Sequence, residues 1–244
     1  MKILVCITHV PDTTTNIKFT ADKKLDAAGV QFVIGPYDDF ALARAVELRD
    51  EKGAKVTVLN VGLAETEPTI RKALAIGADD AIRVNAEPTD AFFVASQIAA
   101  IAKAENYDLI LMGRESSDYN GGQVHGMVAE MLGMPAIVPC MTLSIDGNTA
   151  TLTREIEGGK EKLSCDLPLV AGCQEPIAEW KIPNMRGIMA ARTKPLKVVE
   201  PVAVEAGLEV YDYELPAKRS SCKMIDKDNV AELVRLLKEE AKVL

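Results

Sequence analysis

The run Gly113-Arg114-Glu115-Ser116-Ser117-Asp118-Tyr119-Asn120-Gly121-Gly122-Gln123 follows the apolar stretch Leu109–Met112 and leads into a helix-like pattern. Glycines and short polar residues at that place leave backbone N–H groups open at a helix N-terminus, which suits a phosphate. The run is neither GxGxxG nor a Walker A loop. A plain strand-to-helix connection would have the same composition. A second group is Gly35-Pro36-Tyr37-Asp38-Asp39. Pro36 stiffens the turn, and Asp38 or Asp39 can cap a helix or meet a ribose hydroxyl or an adenine amino group. A third is Thr8-His9-Val10-Pro11-Asp12-Thr13, just past the first apolar run. Ser116-Ser117 and Ser220-Ser221 have no triad-like surroundings, and GxSxG does not occur. Paired catalytic carboxylates do not stand out either.

The elements that must position these groups alternate between strand and helix up to about residue 140. Ile3–Ile7 reads as a strand covered on both faces. A helix to about Lys52 follows, capped by Asp38 or Asp39 and ended by Gly53. Strands are expected at 55–61, 80–84 and 108–112. Helices are expected from Thr66 to Gly77, from Thr89 to about Ala104, and from about Gly122 to Leu132. This order gives a doubly wound, mainly parallel α/β sheet with helices on both faces. Ligands then sit just after Ile7, Val61 and Met112. Beyond Pro135 the turns Asp146-Gly147 and Gly158-Gly159 add antiparallel hairpin strands.

From Lys181 to Lys197 there are five basic residues and no acid. An aperiodic stretch runs on to about Lys227. A last helix carries the stripe Val230, Leu233, Val234, Leu237, Ala241 and Leu244. Thirty irregular residues are unusual inside one compact domain. The expected division is a nucleotide-binding domain over 1–195 and an arm with a terminal helix over 196–244. The arm packs on its own domain or on another chain.

Composition narrows the function. The 244 residues are 48% hydrophobic and 26% charged, as in an ordinary globular protein. A net charge of −8 repels phosphate backbones and speaks against nucleic acid as partner. The apolar run Ala91–Ala102 is too short to insert into a bilayer. Five cysteines without CxxC and two distant histidines give neither a disulfide framework nor a metal site. With no targeting segment read at the start, a cytoplasmic location is expected.

Taken together, six collinear segments resemble the β subunit of electron transfer flavoprotein. They are ILVCITHVPDT, GPYDDFALARAVEL, TIRKALAIGAD, GRESSDYNGGQ, TREIEGGKEKLSCDLPLV and IPNMRGIMAARTK. The resemblance implies a heterodimer whose α subunit holds most of the redox FAD, and a β site that binds AMP. It implies electrons arriving from acyl-CoA dehydrogenases of fatty acid β-oxidation, or from other dehydrogenases, and leaving to a membrane quinone oxidoreductase. It implies a carrier subunit without covalent catalysis of its own.

Position by position, the resemblance places AMP contacts at Cys6, Gly35, Pro36, Tyr37, Asp38, Val61, Gly113, Arg114, Asp118, Asn120, Gly121, Gly122, Gln123 and Val124. Those of Cys6 and Val61 are mainly backbone. A partner-recognition loop near 174–192 places docking at Ile182, Pro183, Asn184, Met185 and Arg186, with Ile182 as apolar anchor. AMP-type members often carry Thr or Ser where Val124 stands. Bifurcating members, with a second FAD in the β site, share that Val but carry an Asp and a Thr that this chain lacks. The tyrosine that often packs near the flavin falls on Thr13. AMP is the first expectation and a second FAD the alternative. A stand-alone adenine-nucleotide sensor is a further one.

Overall fold

The computed structural model describes residues 1–217 and 221–244. The chain opens with β1 (Lys2–Cys6), then β2 (His9–Pro11) and β3 (Phe32–Ile34), with a long loop between the last two. Next come α1 (Pro36–Lys52), β4 (Lys55–Val61), a 3-10 turn at Ala64–Thr66, α2 (Glu67–Ile76) and β5 (Asp80–Val84). Then follow α3 (Ala91–Glu105), β6 (Leu109–Gly113) and α4 (Val124–Leu132). The remainder holds β7 (Ala136–Asp146), β8 (Thr149–Ile156), β9 (Gly159–Asp166), β10 (Leu169–Cys173), α5 (Met185–Ala191), β11 (Leu196–Val199) and α6 (Val230–Glu239).

Among the described residues, the main sheet has nine strands in the order β11-β5-β4-β1-β6-β10-β7-β8-β9. Pairing is parallel from β11 through β7 and antiparallel for β7–β8 and β8–β9. This is the expected doubly wound α/β fold with an added antiparallel hairpin. The chain steps outward from β1 to β4 and β5, then returns to the other side of β1 as β6. Strand order therefore reverses around β1, and the crevice at that point is where such sheets bind ligands.

Alternate residues of the strands serve two cores. Ile3, Val5, Val56 and Val58 pack under α1 and α2 with Leu42, Leu48, Ile70 and Leu74. Leu4, Leu59, Ile82 and Ile110 pack under α3 and α4 with Ile98 and Val128. Burial on both faces explains why these strands read as continuous apolar runs. Burying each large aliphatic side chain contributes about 1.5–3 kcal/mol.

Three helix caps differ from expectation. α1 begins at Pro36, with Gly35 at its N-cap and Asp38 and Asp39 inside the first turn. Proline has no N–H to lose there, and the Asp38 carboxylate is engaged elsewhere. Asp90, not Thr89, caps α3, its Oδ1 accepting from the Phe93 N–H at 2.6 Å. The Thr66 hydroxyl donates to the Leu63 carbonyl at 2.8 Å, closing the 3-10 turn rather than capping α2.

The chain's end divides in two. β11 pairs with β5 and extends the main sheet, so sheet structure runs past residue 195. Residues 202–213 then lie back on the domain. The buried Gln97 side chain exchanges two hydrogen bonds with the Val202 backbone, at 3.0 and 2.7 Å. α6 behaves differently. Val230, Leu233 and Val234 of its expected stripe are 61%, 43% and 46% exposed, and Leu236, off the stripe, is the buried residue.

Candidate functional site

Two strand ends at the switch point are tied together by one side chain. Asp38 sits in the first turn of α1 and is buried. Its Oδ2 accepts from the Thr8 N–H at 2.8 Å and from the Thr8 hydroxyl at 2.7 Å. Its Oδ1 accepts from the Gly113 N–H at 2.7 Å. One carboxylate thus joins the end of β1 to the end of β6. Burial pushes its pKa up to about 6, while the hydrogen bonds from Thr8 and Gly113 hold that rise back. Gly113 is required here for space, since a Cβ at that position would lie 2.6 Å from Asp38 Oδ1 and 2.7 Å from the Tyr37 Cβ.

Two polar residues inside otherwise apolar strands continue the bracing. Asn60 on β4 donates from Nδ2 to the Ile7 carbonyl at 2.9 Å. Its neighbour across the pairing, Arg83 on β5, donates from Nη1 to the Gly62 carbonyl at 2.9 Å and to Asn85 at 2.8 Å. Both side chains are buried, and Asn60 Oδ1 has no partner among the described residues. Sequence reading missed these two. The available signal was a polar residue in the middle of a doubly covered strand.

The 113–123 loop rests on a histidine. His125, buried in the first turn of α4, donates from Nε2 to the Arg114 carbonyl at 2.9 Å. Burial lowers its pKa, and the bond to the Arg114 carbonyl holds that fall back. The Arg114 guanidinium lies 5.2 Å from the Tyr37 ring centroid and donates to Gln174 Oε1 at 2.8 Å. Asn120 and Gly122 take left-handed backbone conformations, φ 50° and 56°, so the chain turns sharply before α4. α4 starts at Val124, two residues later than expected, with Gln123 at its N-cap and no side-chain cap. Its first backbone N–H groups therefore have no capping side chain. Asp118 through Gln123 are exposed.

A cavity of about 1490 Å³ opens over the ends of β1 and β4. Cys6, Val61 and Asp118 line it, together with Thr8, His9 and Asn60. Gly35, Asp38 and Gly113 form its buried support through the Asp38 clamp, and Pro36 and Tyr37 stand beside them in α1. Ser117, Asp118 and Tyr119 of the loop that leads into α4 also line the cavity, whereas Gly121 to Val124, next along the chain at the start of α4, do not. The Cys6 thiol is held above its ordinary pKa chiefly by burial, which makes it unreactive. Among the described residues no cluster of His, Cys, Asp and Glu could hold a metal. Ser220 lies outside the described residues; Ser221 is exposed.

The docking residues fall at the start of a short helix rather than in a plain loop. Asn184 caps α5, its Oδ1 accepting from the Gly187 N–H at 2.8 Å, with Met185 and Arg186 in the first turn. Ile182 and Met185 are 75% and 73% exposed, and Pro183 is partly covered. Arg71 of α2 donates to the Ala191 and Lys194 carbonyls, both at 2.8 Å, and fixes this segment to the domain.

A parallel sheet with a cavity outside its carboxyl ends, beside the reversal of strand order, is the architecture of a doubly wound ligand-binding protein. The family model described as "Electron transfer flavoprotein domain" matches residues 22–204. The chain is 33% identical over 258 residues to the electron transfer flavoprotein subunit beta of Bacillus subtilis, covering all of both chains. It is 35% identical over 248 residues to that of Syntrophomonas wolfei, covering all of this chain and 98% of the relative. It is 32% identical over 256 residues to the mitochondrial subunit beta of Arabidopsis thaliana, again covering all of both. The chain belongs to the electron transfer flavoprotein family, and these three relatives are β subunits. It is therefore an electron-transfer flavoprotein subunit. No helix among the described residues is long and apolar enough to cross a membrane.

Proposed function

We propose that this chain is the β subunit of a heterodimeric electron carrier, that it binds AMP at the switch point, and that it completes the FAD pocket of an α subunit. The observation that carries the reading is the cavity at the ends of β1 and β4, beside an α4 N-terminus without a side-chain cap. The donor set fits an adenine nucleotide. Backbone N–H groups at 121–124 suit the phosphate, and Cys6, Val61 and Asn60 offer a wall for the base. Asn60 also brings a buried oxygen without a partner. Asp38 supports this site from beneath, since both its oxygens already accept hydrogen bonds within the chain. Bound AMP supplies no redox chemistry; electrons belong to FAD, held mostly by the α subunit. Acyl-CoA or other dehydrogenases dock at Ile182–Arg186, and electrons pass on to a quinone oxidoreductase.

Two observations favour a second reading. The cavity exceeds the roughly 300–1,000 Å³ of ordinary small-ligand pockets, and Val124 lacks the hydroxyl of AMP-type members. A second FAD in the β site, with bifurcation of electrons, is the alternative. Releasing bound ligands from the purified heterodimer by denaturation decides between them. One AMP and one FAD per heterodimer support the carrier, and two FAD without AMP support bifurcation. Absence of any adenine nucleotide from the β site overturns both. For docking, Ile182→Asp should slow electron transfer from dehydrogenases and leave bound flavin unchanged. Loss of flavin would contradict that assignment.

A further inference from the structure

The cavity has a wall that the central strands do not supply. Val210, Tyr211, Asp212 and Tyr213, from the segment that follows β11, line its outer side. That segment is held at several points. The Asp90 carboxylate, whose Oδ1 caps α3, uses its Oδ2 to accept from the Gly207 and Leu208 N–H groups at 2.5 and 2.9 Å. Asp212 forms an ion pair with Lys23. The Tyr213 ring stacks on Phe19 with centroids 5.1 Å apart, and its hydroxyl shares a hydrogen bond of 2.9 Å with the Tyr119 hydroxyl.

These holding points come from both sides of the cavity mouth. Phe19 and Lys23 belong to the loop between β2 and β3. A turn with Lys23 in the left-handed region, φ 60°, presents that loop's tip toward the arm. Tyr119 belongs to the loop that leads into α4. Tyr213 therefore bridges two loops across the opening between them. Beyond Tyr213 the chain goes on to α6, whose apolar side is open.

We propose that residues 207–213 are a strap that closes the cavity of the β site, with Asp212 and Tyr213 as its latch residues, so that bound nucleotide leaves only when the strap lifts. This rests on the adenine-nucleotide reading of the cavity. Each latch contact is exposed or half-exposed and singly weak, so the strap opens locally while the domain stays folded.

The test uses the purified heterodimer, loaded with radiolabelled AMP and chased with an excess of unlabelled AMP. Asp212→Lys sets two cations against each other at the latch and should speed release about fivefold. Tyr213→Ala removes the stacking and the shared hydroxyl and should speed it about tenfold. Adding Lys23→Glu to Asp212→Lys reverses the pair and should restore slow release. Release at the wild-type rate in both single variants overturns the strap, and so does a reversed pair as fast as Asp212→Lys alone. Amide hydrogen exchange across 207–213 reads the strap without any nucleotide. Exchange must rise in Asp212→Lys and fall back in the reversed pair, and unchanged exchange overturns the strap. A wild-type heterodimer that takes up no AMP but shows this exchange pattern would sink the nucleotide reading and keep the strap.

Discussion

The clamp at the switch point and the terminal helix solve opposite problems. Around Asp38 the chain satisfies itself: each carboxylate oxygen has a donor, and Thr8, Gly113 and α1 are locked together in the interior. Along α6 the chain leaves Val230, Leu233 and Val234 open to solvent. A buried polar group without its partners costs about 1–3 kcal/mol, so the clamp must be complete within one chain. An apolar helix face gains by finding a cover, and that cover can come from another chain. The first region is closed within the chain, and the second leaves an apolar face uncovered.

Breaking the clamp should have the largest effect. Asp38→Asn turns an amide NH₂ toward buried N–H donors and should lower stability by about 3 kcal/mol. For a chain of this length that is a fall in Tm of about 6–12 °C, read by thermal unfolding. An unchanged Tm would remove Asp38 from its bracing role. Acid titration probes the same carboxyl. Its folded pKa of about 6 lies above the ordinary 3.8, so the native chain binds this proton more tightly than the unfolded one. The sign follows from linkage: this carboxyl favours folding below about pH 4, and that contribution is lost as pH rises through about 6. It amounts to about 2–3 kcal/mol. A carboxyl-carbon NMR titration should give Asp38 a midpoint near 6, and a midpoint near 4 would contradict it. Gly113→Ala pushes a methyl against Asp38 and Tyr37 and should cost about 1–3 kcal/mol in denaturant unfolding.

At the other region the same measurements should barely move. Leu233→Ser with Val234→Ser should change the isolated chain's unfolding free energy by less than about 0.5 kcal/mol per site. The same pair should weaken heterodimer formation, read by sedimentation. A double variant that unfolds the isolated chain would show that α6 belongs to the domain after all. The smallest effect concerns thiols. Burial raises Cys173 well above the usual range and Cys140 to about 12, whereas Cys222 in the arm is exposed. A thiol reagent should label Cys222 quickly, Cys165 more slowly, and the three buried cysteines only on unfolding.

Much of the clamp's setting was legible because burial on two faces writes itself into sequence. Ile3–Ile7, Lys55–Val61 and Leu109–Met112 could hardly be anything but covered strands. The glycines of the 113–123 run marked the loop, and DG and GG marked both hairpin turns. The role of Asp38 was harder to see. A capping aspartate and a buried aspartate that ties two strand ends look alike in a string, since Thr8 and Gly113 are 30 and 75 residues away. Asn60 and Arg83 left a signal that was passed over. The packing of residues 202–213 left almost none, because Gln97, Asp90, Lys23 and Tyr119 are single polar residues without a period. Short irregular segments gain their structure from distant partners, and propensity does not report partners.

The sheet order has a consequence for synthesis. β7 leaves the ribosome before β10, yet β10 lies between β6 and β7 and pairs with both. Until residues 169–173 are made, the growing sheet ends at β6, and β7 with its hairpin has no parallel neighbour. That intermediate carries an open strand edge on each side of a vacant slot. Filling the slot closes both edges in one step.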